Sequence, residues 1–496
     1  MRRLRNRGAA RGSLIDALTV QLDEVLAKVA QIRPQDIPAL DVHLRQRSWS
    51  DPREVVGWAQ IRLAEAPTLV QRSASPDLAA ALLSMHTSGF VREAAVAELV
   101  SNADPNIALP FLLVRCADWV PEVRERAVTG VSDLLDAVAQ PVLVDCLPLL
   151  ERLIAPGSRG SVSVAPIRDE ITRRVDEPTL VKSLTHADVR CRHAVARVIA
   201  QRGLALDTLD PALEQRDPFT ALIVGRAVLG ETTDARRRVH LEQLLASRFA
   251  PLAAAAAWSL LRESPAEQPF VEELLLDVRR SVRWVAQLEA PRHGITPVDL
   301  YRARIGSNPM SIVGLGECGT PDDARLVFRF TSDQDGRVRN IAVTALGRLD
   351  AHAYTDELVA ALGDSSPSVA RAASRALIPC GHDVRVSKGV ISILTADDRT
   401  QHARRSARFL ALRLPRWPQL RVALACVVVA DDATRSFGIE LTDRVLARWN
   451  TSFAAPTREE RDLLAHQFQG SRTVLTGARR DELAVLLDAY GIESGR

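Results

Sequence analysis

Small and apolar residues recur along the chain at relative positions 0, 3, 4, 7 and 8, the spacing that lines one face of an α-helix. In Gly336 to Leu349 that face holds Val338, Ala342 and Leu346. In Ser366 to Cys380 it holds Val369, Ala373 and Leu377, displaced by 31 residues. A shift of 31 toward the N-terminus reaches Ser311 and Leu315. With position 0 as an anchor, anchors fall at Val55, Val91, Val123, Cys191, Ala221, Leu252, Val282, Ser307, Val338, Val369 and Ala403. Most steps are 30 to 36 residues. Val123 to Cys191 is 68, room for a further unit around Val164 to Val175, and Val282 to Ser307 is 25, a shortened unit. A second apolar segment separates successive anchored helices, as at Ala324 to Phe330 and Asp356 to Leu362, so each unit is predicted to read helix, turn, helix.

Prolines punctuate this pattern. Pro is tolerated in a first helical turn, where its missing N–H costs nothing, and Ser, Thr or Asp before it can cap. Thr320-Pro321-Asp322-Asp323 is the clearest such start, and its acids suit the positive end of a helix dipole. The Gly/Ser-rich stretch Pro156 to Ser163 predicts an inserted loop. A single helix pair cannot cover its own apolar face, so neighbours must stack. The fold class expected is therefore all-α: an α-solenoid of stacked helix-turn-helix repeats with a period of about 31 residues. Its expected divisions are an N-terminal helical cap over 1–49, a repeat array over 50–416, and a C-terminal cap or small helical domain over 417–496.

The anchored helices resemble those of HEAT-repeat proteins, whose second helix often carries a VRxxA motif preceded by an Asp. The motif stands here as Val91-Arg92 with Ala95, Val123-Arg124 with Ala127, Val282-Arg283 with Ala286, and Val338-Arg339 with Ala342. An Asp six residues before the Arg is present as Asp118, Asp277 and Asp333. The resemblance covers Ser50 to Leu414 and implies a structural ladder of Asp118, Arg124, Asp277, Arg283, Asp333 and Arg339 that ties turns to neighbouring units. His86 and His186 replace the Asp, Ala370 replaces the Arg, and Ala221, Leu252 and Ser307 lack the motif.

Composition narrows the function classes. Sixty-four basic residues against 61 acidic ones give a formal +3, which commits the chain to no polyanionic partner. Aromatic residues make up only 4%, favouring close-packed helices over sheets. Lysine occurs only at Lys28, Lys182 and Lys388, an arginine skew expected of a GC-rich bacterial genome. Six cysteines without a CxxC pair imply neither disulfides nor a zinc finger. The basic start, Arg2 to Arg11, leads into no signal-peptide core, and the longest apolar run, Val422 to Ala430, is short of a spanning helix. A cytoplasmic protein with no membrane partner is expected.

Candidate chemistry is sparse. His186, Asp188, Cys191 and His193 are zinc-binding types within eight residues, but their spacing fits a turn and a helix start better than one ligand face. GLGECG, Gly314 to Gly319, follows no strand and fits a tight interhelical contact better than a phosphate loop. No catalytic residue, metal or cofactor is expected. Arg404, Arg405 and Arg408, within two turns of one anchored helix, are the candidate surface for an anionic partner. Trp119 beside Asp118 invites comparison with HEAT-like DNA glycosylases, which use Trp and Asp in a base-holding groove. The function expected is a non-enzymatic scaffold or regulatory subunit that binds another protein. Nucleic-acid binding or base excision is the second reading.

Overall fold

The computed structural model describes residues 26–50, 61–214, 217–230, 237–263, 267–449 and 455–492, with side chains of 46–50 excepted. The anchor Val55 and the basic start lie outside the described residues. All regular structure among the described residues is helical, and the chain divides into two compact units, Met1–Ala256 and Ala257–Arg496.

In the first unit the helices that position functional side chains are α1 (Ile37–Ser50), α2 (Gly89–Ser101), α3 (Pro105–Arg115), α4 (Pro121–Leu134), α5 (Gln140–Leu153), α6 (Ser161–Arg174), α7 (Val189–Gln201) and α8 (Pro218–Gly230). They form hairpins in two layers. First helices α3 and α5 pack on each other; second helices α2, α4 and α6 pack in succession, and α7 packs on α8. Anchors Val91, Val123, Cys191 and Ala221 are buried in second helices. The extra unit expected around Val164 to Val175 is α6, with Val164, Ile171 and Val175 buried. The expected inserted loop is shorter than its composition implied. It spans residues 154–160, and Ser161 to Ser163 already form the first turn of α6. Gly160 before them sits so close to Ala117 that an added Cβ would lie 2.8 Å from that methyl. The N-terminal 3₁₀ turn Pro34–Asp36 packs on α5, and α1 packs on α3.

The second unit contains α9 (Arg280–Glu289), α10 (Pro309–Cys318), α11 (Gly336–Asp350), α12 (Thr355–Ala361), α13 (Pro367–Ala376), α14 (Val384–Thr395), α15 (Gln401–Ala411), α16 (Arg416–Val427), α17 (Asp432–Ala447), α18 (Arg458–Ser471) and α19 (Gly477–Ala489). Second helices α10, α11, α13 and α15 stack in order, and first helices α12, α14, α16 and α18 stack beside them. The 31-residue period is also visible in the backbone approach. An added Cβ would fall 2.7 Å from the Ala345 Cβ at Gly316 and 2.3 Å from the Ala376 Cβ at Gly347. Gly314 is held against the Tyr301 ring in the same way, which accounts for the GLGECG run.

One anchor is displaced. Ser307 lies outside α10, because Asn308 accepts a hydrogen bond from the Met310 N–H and Pro309 opens the helix there. Ser311 and Leu315 of the same register are buried as expected. Trp417, Leu424, Val445, Phe468, Leu483 and Leu487 share a core, with α16 contributing both to it and to the first-helix stack. Trp417, Trp449 and Tyr490 meet there edge to face at 5.0 to 5.5 Å. Thr457 and Glu460 form a capping box at the start of α18, with the Thr457 N–H donating to Glu460 and the Glu460 N–H to Thr457. No described helix is long and apolar enough to cross a membrane. The fold is an all-α solenoid of helix hairpins.

Candidate binding face

The turn between the two helices of a hairpin organises both structural and exposed cations. Asp118, Asp277, Asp333 and Asp364 each accept the N–H of the residue two positions on, at 2.7 to 3.0 Å. His86 and His186 do the same through Nδ1, both at 3.0 Å, so a histidine replaces the Asp without loss of the turn. The Arg six positions later donates back to that turn. Arg124 reaches the Asp118 carbonyl, Arg283 the Asp277 carbonyl and Arg339 the Asp333 carbonyl, at 2.7 to 2.9 Å.

Four of these arginines, Arg92, Arg192, Arg283 and Arg339, also span to the next hairpin, whereas among the described residues Arg124 is held only by the carbonyl of its own turn. Arg92 donates through Nε and Nη2 to Asp118, at 3.0 and 2.9 Å. Arg339 pairs in the same fork with Asp364, both bonds at 2.9 Å. Arg283 takes Glu317 at the end of α10, where the shortened unit supplies no turn Asp. Arg192, on a helix whose anchor is Cys191, reaches Asp217. Sequence reasoning missed Arg192; the usable signal was an Arg directly after any anchor, not only after Val.

Asp118 is the most enclosed of these carboxylates. Arg92, Arg115 and the Val120 N–H all donate to it, and its side chain has no solvent exposure. Burial pushes its pKa up, but the Arg92 hydrogen bond and the Arg115 charge outweigh burial and leave it below the ordinary range. The N-terminal α1 adds Asp41 on Arg115 at 2.7 Å. Trp119 is 60% exposed with Arg92 5.6 Å from its ring, but its neighbour Asp118 is enclosed by cations and unable to reach a bound base.

The zinc-type cluster resolves into a turn. Asp188 caps α7 through the Arg190 N–H, His193 pairs with Asp217 at 2.9 Å, and His186 Nε2 lies 3.1 Å from Asp145 Oδ1. Asp145, His186 and Cys191 are close enough to share an ion. The tautomer opposes one: His186 Nδ1 accepts the Asp188 N–H, so the neutral ring carries its proton on Nε2, the atom a metal would need. Burial pushes the Cys191 thiol up to about 12.

The three arginines expected to share an anionic surface are placed differently. Arg404 turns inward, donating to the Ala396 carbonyl at 2.7 Å and lying 3.8 Å from Asp431, a ladder-like arrangement. Arg408 lies over the Phe437 ring at 5.3 Å. Arg405 is exposed. A larger exposed group, absent from the sequence reading, lies beside them. Asn340, Thr344 and Arg348 of α11 face Ser368, Arg371 and Arg375 of α13 across a groove of about 390 Å³, floored by Gly347, Ala372 and Ala376.

The stacked hairpins are those of a helical-repeat solenoid. Residues 310–378 match the family model described as HEAT repeats. No curated protein matches the chain in sequence. Among solved structures, the Kap95:Nup1 complex is similar with a TM-score of 0.42 and 13% identity, over 95% of this chain and 69% of that one. Kap95p with RanGDP gives a TM-score of 0.37 and 13% identity, over 91% of this chain and 74% of the other. Kap121p bound to Pho4p gives 0.25 and 13%; the chain is covered over 95% and spans 53% of that protein.

Proposed function

We propose that the chain is a non-enzymatic scaffold or regulatory subunit in a bacterial cytoplasm, whose second helices hold another protein. The observation that supports this is a set of large apolar side chains left in solvent on or beside those helices. Trp284 and Leu288 lie one turn apart on α9 and are 60% and 52% exposed; Phe90 and Phe219, in the first turns of α2 and α8, are 72% and 63% exposed. Stacking of hairpins buries most of the anchors and gains nothing from exposing these rings, whereas exposed Trp and Phe are common anchors of protein interfaces.

The test is affinity capture from the native host, identification of the captured protein, and titration of both purified proteins. Trp284→Ala with Leu288→Ala should weaken binding by about tenfold or more, equivalent to about 1.4 kcal/mol. Failure of every purified candidate to bind saturably, or binding indifferent to both substitutions, would refute the reading.

A further inference from the structure

We propose that the groove between α11 and α13 docks an acidic peptide segment of a partner protein, with Arg348, Arg371 and Arg375 taking its carboxylates. This rests on the scaffold reading and names the chemistry of its partner. Helices α11, α13 and α15 carry eight arginines and a single acid, Asp350. Two of those arginines are consumed by structure, Arg339 on Asp364 and Arg404 on the Ala396 carbonyl, and Arg408 stacks on Phe437. Arg337, Arg348, Arg371, Arg375 and Arg405 are exposed and form no ion pair among the described residues. Fixed cations of one sign on successive helices raise the local potential and favour a ligand of opposite charge.

The groove also has the form of a peptide site. The close approach of Gly347 to Ala376 sinks its floor and draws the two rows of arginines together. Arg371 and Arg375 are one turn apart, a rise of about 6 Å, which matches carboxylates two residues apart on an extended chain at about 6.6 Å. Asn340 donates its amide to the Ser368 carbonyl at 2.7 Å, leaving its own oxygen to accept a peptide N–H. Guanidinium forks bind carboxylates bidentately, which adds geometric selectivity to charge. None of the groove-lining residues is aromatic, whereas single-stranded nucleic acids are held by stacking aromatics as well as cations.

The experiment is fluorescence anisotropy on the full chain with a labelled peptide of about twelve residues that alternates Glu and Ser, so that its carboxylates share one face when extended. At about 50 mM salt the peptide should bind, and its affinity should fall as salt rises. The triple variant R348Q/R371Q/R375Q, and independently Arg371→Glu, should each lose about tenfold or more, while Arg238→Gln on the other unit should lose nothing. No peptide binding, binding unchanged in the triple variant, or tighter arginine-dependent binding of a single-stranded oligonucleotide would each overturn the proposal. Equal capture of a validated partner by wild type and triple variant would also overturn it while leaving the scaffold reading intact. Peptide binding by a chain that captures no partner would sink the scaffold reading instead.

Discussion

Replacing Asp118 with alanine tests whether the turn carboxylates hold successive hairpins together. The carboxylate accepts from Arg92 Nε at 3.0 Å, Arg92 Nη2 at 2.9 Å, Arg115 Nη1 at 2.9 Å and the Val120 N–H at 3.0 Å. After its removal Arg115 keeps Asp41, and Arg92 keeps the His86 and Thr87 carbonyls, both at 3.0 Å, but its Nε and Nη2 remain buried without an acid. Breaking a buried pair by removing one partner costs about 3 to 5 kcal/mol, and the surviving contacts argue for the lower end. The assay is native-state hydrogen exchange of peptides within 105–134. A loss of about 3 kcal/mol corresponds to roughly a hundredfold faster exchange. Exchange within about threefold of wild type, less than 1 kcal/mol, would refute the reasoning.

The same residue sets a pH dependence. The folded pKa of Asp118 lies below the unfolded value of about 3.9, so the unfolded chain takes up the proton first. Its stabilisation is complete above about pH 4 and is lost as pH falls through the folded value, so the gap between wild type and Asp118→Ala should narrow there. A gap that widens below pH 4 would contradict the assignment.

Four further outcomes follow from the packing and the site. Gly347→Ala would place a methyl 2.3 Å from the Ala376 Cβ and should destabilise by about 1 to 3 kcal/mol. Gly306→Ala, with nothing within 4 Å, should be neutral or slightly stabilising in the same thermal melt. Arg404→Ala should lower the melting temperature measurably, since its guanidinium holds the Ala396 carbonyl, whereas Arg405→Ala should leave it unchanged. Titration with cobalt should give no thiolate charge-transfer band from Asp145, His186 and Cys191, and such a band, abolished by Cys191→Ser, would overturn the tautomer argument.

The fold was legible because burial imposes the period. Val338, Ala342 and Leu346 recur as Val369, Ala373 and Leu377, and five of these six positions are buried by the stacking, Val338 only partly. Boundaries were less legible, because capping is local chemistry that overrides register: Asn308-Pro309 moved the start of α10 past Ser307, and Ser161 to Ser163 became a helical turn instead of a loop. In the ladder, the backbone partners were implied by the six-residue spacing of Asp and Arg. The acid that completes each fork sits about one unit further along, and its identity, Asp364 for Arg339 but Glu317 for Arg283, depends on unit length. The exposed groove was invisible in sequence because it joins Arg348 of one helix to Arg371 and Arg375 of the next. Of the arginines crowded in sequence, Arg404 and Arg408, one turn apart, both turn toward α17 at Asp431 and Phe437, and only Arg405 is left exposed.

A double-mutant cycle on Arg339 tests the central claim, that an arginine following the anchor ties its hairpin to the next one, as Arg92, Arg283 and Arg339 do. Arg339 bonds the backbone carbonyl of its own turn residue, Asp333, and the carboxylate of Asp364 in the following hairpin. Coupling between Arg339→Ala and Asp364→Ala should be about 1 kcal/mol or more, and between Arg339→Ala and Asp333→Ala close to zero. The reverse order, with coupling to Asp333 and none to Asp364, would contradict the account.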